Sequence, residues 1–143
     1  MLISTKGRYA LRVMIDLAEH NREEYIPLKE IAKRQDISEK YLESIIKILT
    51  KAELLVGLRG KGGGYKLTKS PNQYTVGSIL RLTEGSLAPV ACLERQPNRC
   101  PRAAQCKALS VWQKLDTMIN NYFDSITIAD LVDCPEGGNE FVI

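Results

Sequence analysis

Three of the chain's four cysteines lie close together in the sequence. Cys92, Cys100 and Cys106 fall in the stretch CLERQPNRCPRAAQC, separated by seven and then five residues. A structural zinc site usually shows CxxC pairs, and this stretch has none. Three thiolates in one loop suit an iron–sulfur cluster better, since its irons are held by cysteine sulfur. A thiol redox switch, another metal, or three simple reduced thiols are the alternatives.

The surroundings of these cysteines favour reactive thiols over disulfides. Arg95, Arg99 and Arg102 lie among them, and positive charge favours the thiolate form and would offset the charge of a cluster. The first 18 residues carry Lys6, Arg8 and further charges that a secretory signal would not tolerate, which predicts a cytoplasmic protein. In a reducing cytosol, clustered cysteines more often bind metal or undergo redox chemistry than form structural disulfides.

The composition is that of an ordinary globular protein. The chain has 143 residues, of which 44% are hydrophobic and 26% charged, so one domain with a small appendage is expected. No apolar run approaches the roughly 20 residues of a membrane span. Residues 1–70 carry 14 Lys/Arg against 9 Asp/Glu, whereas residues 71–143 carry 6 against 8. A polyanion would therefore dock on the first half.

Apolar residues at helical spacing predict three helices in this basic half, over about 5–20, 28–35 and 38–52. Ser38 is a good N-cap for the third. A short helix, a tight turn and a longer helix with a polar outer face are typical of a helix-turn-helix, although two ordinary amphipathic helices would look similar. The outer face of the third helix offers four candidate DNA contacts: Lys40, Glu43, Ser44 and Lys47.

A β-hairpin is predicted directly after the third helix, with strands over 54–58 and 65–68. Its tip, RGKGGG, carries Arg59 and Lys61 among glycines, which let the backbone bend sharply and approach a partner. An arginine at such a tip can enter the minor groove of DNA. The spacing excludes a nucleotide-binding P-loop. The hairpin is therefore interpreted as the wing of a winged helix, with a plain flexible hairpin as the alternative.

The second half is predicted to hold the cysteine loop, 92–106, and a long amphipathic helix over about 103–125. A shorter helix begins near Val76 and ends near Gly85, and another lies in TIADLV, before a C-terminal tail. The stripe of the long helix is too extended for one small domain to cover, so a second copy is expected to bury it. That stripe consists of Val111, Leu115, Met118 and Tyr122.

The predicted fold is therefore mainly α with a small β-hairpin wing. Residues 1–70 form a winged helix-turn-helix DNA-binding domain, and residues 71–143 form the cysteine loop, the dimerisation helix and the tail. Ser/His/Asp sets, paired-carboxylate sites and nucleotide motifs are missing from the sequence, which argues against an enzyme.

Several stretches together resemble the Rrf2 family of bacterial winged-helix regulators. They are STKGRYALRVMIDLA, IPLKEIAKRQDISEKYLESIIKILTKAELL, RGKGGGYKL and TVGSILRLTEG, followed by the cysteine loop, Trp112 and ITIADLV. The resemblance covers essentially the whole chain. It implies a homodimer that binds a roughly palindromic double-stranded DNA operator, with the long C-terminal helices crossing at the dimer interface.

The resemblance also implies roles for individual residues in DNA binding. Glu43 matches a recognition-helix position tied to the choice between operator types, and Arg59 matches a wing-tip position that enters the groove. A carboxylate such as Glu43 serves discrimination better than affinity, because it can accept from cytosine but repels phosphate. The exposed positions of Lys40, Ser44 and Lys47 indicate contacts to phosphates rather than bases.

For the cysteine loop, the resemblance implies that Cys92, Cys100 and Cys106 ligate a [2Fe–2S] cluster, or a [4Fe–4S] cluster as in some members. The first gap between cysteines is longer than usual in the family. The two family positions that supply a fourth ligand hold Leu109 and Arg8 here. Cys134, Glu94, a backbone group or an exogenous thiol stay open as the fourth donor.

The expected function is a dimeric transcription regulator that senses iron–sulfur cluster status and controls iron–sulfur assembly or cysteine metabolism genes. The alternative is a cluster-free regulator of cysteine metabolism. Such a regulator would act through a partner enzyme of cysteine biosynthesis or through its thiol redox state.

Overall fold

Within the described residues, three α-helices precede a two-stranded antiparallel sheet and three follow it. The computed structural model describes residues 2–20 and 23–134. The predicted C-terminal tail lies, from residue 135 onward, outside the described residues. The helices are α1 (Thr5–Glu19), α2 (Leu28–Gln35), α3 (Glu39–Lys51), α4 (Val76–Glu84), α5 (Leu109–Asp124) and α6 (Ile128–Val132), and the strands are β1 (Leu55–Leu58) and β2 (Gly64–Leu67). The mainly α fold with a hairpin is confirmed.

Helix α5 is shorter than the sequence predicted. It begins at Leu109, not near 103, because a separate 3₁₀ turn over Ala103–Gln105 ends at Cys106 with extended backbone, φ −79° and ψ 106°. An extended residue cannot continue the helical hydrogen-bond ladder. Cys106 therefore lies outside the helix, in the loop that leads into it.

The main core lies between α1, α3 and the hairpin. Val13 and Met14 of α1 and Leu42 and Ile45 of α3 are fully buried within it, as the helical spacing of apolar residues predicted. Three buried residues from beyond position 70 belong to the same core, namely Tyr74, Ile79 and Ile128, and Leu131 and Val132 pack against it. The division of the chain at residue 70 stays a prediction.

A second, smaller cluster joins α4 to α5. Val76, Leu80 and Leu87 are buried there, and Ile119 and Phe123 of α5 pack against them. This contact attaches one face of α5 to the rest of the chain.

Helix α1 is tied to α2 through a buried carboxylate. The Asp16 side chain is fully buried and accepts hydrogen bonds from Arg34 Nε at 2.9 Å, Arg34 Nη2 at 2.7 Å and Gln35 Nε2 at 2.8 Å. The bidentate bond to Asp16 is the main reason that the pKa of Arg34 is raised. These bonds compensate the cost of burying the charge and fix where α2 lies.

The turn between α2 and α3 has the local chemistry that the sequence indicated. Asp36 has left-handed backbone, with φ 52°, and Ile37 N donates to Ala32 O at 3.0 Å. The Ser38 side chain accepts from Tyr41 N at 3.2 Å and caps α3. The helix-turn-helix is thus built from a left-handed helix end and a serine cap.

Candidate nucleic-acid interface

The outer face of α3 presents the polar residues that the sequence singled out. Lys40, Glu43 and Lys47 are exposed, on the side of the helix opposite buried Leu42. Ser44 differs from the prediction of an exposed side chain, since it is half-buried. Its hydroxyl donates to Tyr41 O at 2.6 Å, so it can serve DNA only as an acceptor.

The hairpin that follows α3 holds two cations at its tip. Leu55 pairs with Leu67 and Leu58 with Gly64 in an antiparallel register. Strand β1 begins one residue later than predicted and ends at Leu58 as predicted, and β2 begins and ends one residue earlier than predicted. Arg59 and Lys61 are exposed in the turn. The neighbouring Gly60 has φ 90°, which a side chain would disfavour.

A groove of about 490 Å³ lies between α3 and the hairpin. Glu43 and Lys47 line it from the helix and Arg59 from the hairpin tip, whereas Lys40, Ser44 and Lys61 are not among its lining residues. The structure therefore brings together three of the six predicted DNA contacts, and the other three lie outside the groove.

Five residues that were not among the predicted DNA contacts also line this groove, namely Leu28, Ile46, Thr50, Lys51 and Tyr65. Lys51 lies four residues after Lys47 and so shares its helix face, a spacing that could have identified it. Tyr65 could not have been identified, because its place depends on how the hairpin folds back. With Lys51 included, three cations and one carboxylate, Glu43, line the groove, which suits a polyanion.

The three cysteines of the loop lie in different local surroundings. Cys92 lies in a 3₁₀ turn, Ala91–Leu93, that contacts α5. Cys92 and Cys100 are half-buried, Cys106 is exposed, and all are free thiols. Within residues 2–20 and 23–134, no group of three His, Cys, Asp or Glu side chains is gathered closely enough to hold a metal ion.

The three cysteines therefore have suitable donor chemistry for an iron–sulfur cluster but not the arrangement. The two family positions for a fourth ligand add nothing to the set. Leu109 begins α5, and Arg8 donates to Thr5 Oγ1 at 3.0 Å. In this conformation the loop does not fit a cluster.

Comparison with known families settles the class of this protein. Residues 3–134 match the family model described as Rrf2, iron-dependent transcriptional regulator. The chain belongs to the Rrf2 family. An Rrf2-family chain is a DNA-binding transcription regulator, and the helix-turn-helix with its hairpin is a winged helix.

Curated relatives agree with this assignment. The chain is 36% identical over 132 residues to protein rrf2 of Nitratidesulfovibrio vulgaris, covering 92% of this chain and 87% of that one. It is 36% identical over 136 residues to the HTH-type transcriptional regulator IscR of Pectobacterium carotovorum, covering 95% and 82%. The second of these relatives is named as a transcription regulator, and this chain belongs to a family of regulators and not of enzymes.

Solved structures include two kinds of Rrf2-family regulator. CymR, the global cysteine regulator of B. subtilis, superposes with a TM-score of 0.76 at 37% identity, covering 92% of this chain and 96% of that one. T. potens IscR superposes with a TM-score of 0.72 at 40% identity, covering 92% and 86%. The similar scores mean that the fold does not choose between an IscR-like and a CymR-like regulator.

One further finding concerns membranes. Among the helices of the described residues, none has the length and apolar character needed to cross a bilayer.

Proposed function

We propose that this Rrf2-family protein is a homodimer that binds a roughly palindromic operator, with α3 and the wing of each copy on one half-site. The observation that carries the proposal is the groove in which Lys47, Lys51 and Arg59 lie together. A helix and a hairpin that present cations to the same groove can follow the phosphates on both sides of one DNA groove.

Each of the remaining candidate residues has a different role in this proposal. Lys40 and Lys61 contact phosphates at the edges of the surface, which adds affinity without sequence preference. Ser44 has its hydroxyl proton bonded to Tyr41 O, so it accepts from a donor group on a base and does not contact a phosphate. Glu43 is the acidic residue among the groove's cations and rejects sequences that bring a phosphate or an acceptor towards it. Arg59 enters the minor groove, where its charge meets concentrated negative potential.

The DNA contact is tested by measuring the affinity of an Arg59→Ala variant for the protein's own promoter by fluorescence anisotropy at several salt concentrations. We expect a loss of about 1–3 kcal/mol and a shallower salt dependence. Lys114→Ala, which removes the same charge from exposed α5, is the control and should bind almost like the wild type. Equal affinities for Arg59→Ala and the wild type at every salt concentration would contradict the proposal.

The homodimer is supported by the apolar stripe of α5. Val111, Leu115, Met118 and Tyr122 remain 57%, 38%, 59% and 47% exposed in the single chain. A neighbouring face of the helix, which carries Ile119 and Phe123, is already occupied by the cluster around Leu80. A continuous stripe of this kind is costly in water, and an identical helix from a second copy would cover it.

Sedimentation of a Met118→Asp variant tests the dimer. A charge in the centre of the stripe should convert the protein to a monomer and strongly reduce operator binding. Thr117→Asp, on an exposed position next to the stripe, carries the same charge and should remain dimeric. A dimeric Met118→Asp protein would show that α5 is not the interface.

The finer proposal is that Cys92, Cys100 and Cys106 hold a [2Fe–2S] or [4Fe–4S] cluster and that cluster status controls iron–sulfur assembly or cysteine metabolism genes. It is supported by three thiols in one loop and by the iron-dependent description of the family. Because the thiols are not gathered in this conformation, no step of DNA binding is assigned to a cluster. Anaerobic reconstitution tests it, since a cluster absorbs visible light and Cys92→Ala should lose that absorption.

A CymR-like regulator without a cluster is the second candidate, and the separated thiols favour it. In this case a partner enzyme of cysteine biosynthesis or oxidation of the thiols changes operator affinity. The structures similar to this chain include an oxidised form of Staphylococcus aureus CymR, with a TM-score of 0.73 at 32% identity, covering 95% of this chain and 99% of that one. Gel shifts with reduced and oxidised protein, with and without the enzyme, separate the two candidates.

A further inference from the structure

Tyr74 is a buried residue at a junction that the proposed function does not yet use. It follows the 3₁₀ turn Pro71–Gln73 and precedes α4, so it lies in the connection between the wing and the second half. Only 2% of its surface is exposed. The sequence marks it as no more than one aromatic residue in a linker.

The Tyr74 hydroxyl closes the open end of the wing. It donates to Leu54 O at 3.0 Å, accepts from Lys69 N at 2.7 Å and lies 3.0 Å from Thr68 Oγ1. Leu54 precedes β1, and Thr68 and Lys69 follow β2. The phenol thus joins the two ends of the hairpin at its base, beside the direct backbone bond from Thr68 N to Leu54 O at 3.2 Å.

The same contacts tie the wing to the recognition helix. Leu54 N donates to Leu49 O at 3.0 Å, and Leu49 is in α3. The hydroxyl that binds Leu54 O therefore acts on the residue that joins α3 to the wing.

The backbone of Tyr74 faces the other half of the molecule. Its carbonyl accepts from Ile128 N at 2.9 Å, and Val76 N donates to Ile126 O at 2.9 Å. Ile126 lies between α5 and α6, and Ile128 is the first residue of α6. Tyr74 is thus bonded on one side to the base of the wing and on the other to the start of α6, just after the α5 arm, which comprises the cysteine loop and α5.

The position of a small wing depends strongly on how its base is held. A two-stranded hairpin alone is marginally stable in water. Strands of four residues place the tip roughly 13 Å from the base, so a rotation of about 5° at the base moves the tip by about 1 Å.

We propose that Tyr74 is a positioning residue for DNA binding, which orients the wing relative to α3 and to the α5 arm through its buried hydroxyl. The inference rests on the proposed function, because it acts through the contact of Arg59 with DNA. A second anchor keeps the wing attached when the hydroxyl is lost, since Ile26 N donates to Tyr65 O and Tyr65 N to Ile26 O, both at 2.9 Å. Removing the hydroxyl is therefore expected to change the orientation of the wing without unfolding it.

A double-mutant cycle on operator affinity tests this inference, using Tyr74→Phe, Arg59→Ala and the double variant in the full-length protein. Tyr74→Phe keeps the buried ring and is expected to weaken binding by three- to tenfold. In the Arg59→Ala background the same substitution should change affinity less than twofold. The orientation of the wing affects affinity through the contact of Arg59 with DNA, and this variant lacks that contact. Circular dichroism at the assay temperature confirms that each variant is folded.

The outcomes separate this inference from the proposed function. If Arg59→Ala weakens binding but Tyr74→Phe does not, or if Tyr74→Phe costs the same in both backgrounds, Tyr74 has only a structural role and the inference is wrong. If Arg59→Ala binds like the wild type, the wing contact and the role of Tyr74 are both overturned. If Tyr74→Phe does not fold, Thr68→Ala takes its place in the cycle. It removes the hydroxyl beside Tyr74 Oη together with that hydroxyl's own bonds to Glu53 O and Leu54 O, and an equal cost in both Arg59 backgrounds would overturn the inference.

Discussion

The winged-helix unit, which runs from α1 to β2, buries more of its side chains within one chain than the α5 arm does. In α1 and α3, residues such as Val13 and Leu42 are fully buried, and the one buried carboxylate is bonded to Arg34. In α5, which is described throughout, no residue is buried, and the cysteine loop before it leaves Cys106 exposed.

This difference indicates which part of the molecule the proposed dimer would complete. A unit that buries its apolar surface within one chain can keep its DNA-binding surface in shape by itself. The stripe of the α5 arm stays exposed in the single chain, which is why we propose that a second copy covers it, and a regulatory signal acts more readily on such a part.

The largest expected effect compares the loss of stability when an apolar side chain is truncated in each of the two regions. Leu42→Ala should lower the free energy of unfolding by about 2–5 kcal/mol, because Leu42 is fully buried and the substitution leaves a cavity. Leu115→Ala, at a position 38% exposed in the single chain, should cost measurable stability only at protein concentrations at which the dimer forms. Urea unfolding at two protein concentrations checks this. Equal losses in the free energy of unfolding for both variants at the lower protein concentration would contradict the predicted difference between the two regions.

The next effect compares two carboxylates that each accept a bidentate bond from an arginine. Asp16→Asn should cost about 1.5–3 kcal/mol, since a buried charge-assisted pair is lost. Asp124→Asn, which loses the equivalent bond from Arg81 at a side chain 46% exposed, should cost less than about 1 kcal/mol. Thermal unfolding of the two variants measures the difference, and a larger loss for Asp124→Asn would reverse the predicted order.

The acid response of the α5 arm provides a smaller effect. Hydrogen bonds from Arg81 lower the pKa of Asp124 below its ordinary value of 3.8. A carboxyl with a lowered pKa in the folded state stabilises the protein above its unfolded pKa, and this contribution is lost as the pH falls through the folded value. The difference in stability between the wild type and Asp124→Asn should therefore be constant near neutral pH and shrink below about pH 4. A difference that persists unchanged into strong acid would show that the pair does not link α4 to α5 electrostatically.

The smallest effect concerns the residues that follow the last turns of α3 and α5. Glu53, after α3, has φ 63°, which costs a residue with a side chain up to about 1 kcal/mol. Glu53→Gly should therefore stabilise the protein by a few tenths of a kcal/mol, after the entropy cost of glycine. Ser125, after α5, has φ −84°, so Ser125→Gly should destabilise it. Melting temperatures that move in the same direction for both variants would contradict this reasoning.

Local patterns in the sequence predicted much of the winged-helix unit. Helix α2 has the predicted bounds and Ser38 caps α3 as expected, because helix periodicity and capping depend on residues three or four apart. The glycines of the hairpin tip and the cations Arg59 and Lys61 were visible for the same reason. The sequence also indicated the family, since its motifs extend through the whole chain.

The tertiary structure decided what depends on distant contacts. Asp16 appears in the sequence as one charge in an amphipathic helix, and only the packing of α2 turns it into a buried partner of Arg34. Tyr65 joins Lys47 in the groove because the hairpin folds back. The spacing of the cysteines suggested a shared ligand set, but within residues 2–20 and 23–134 the fold does not gather three such side chains into a group that could hold a metal ion. Spacing along a chain sets which side chains can meet, whereas long-range packing sets which of them do.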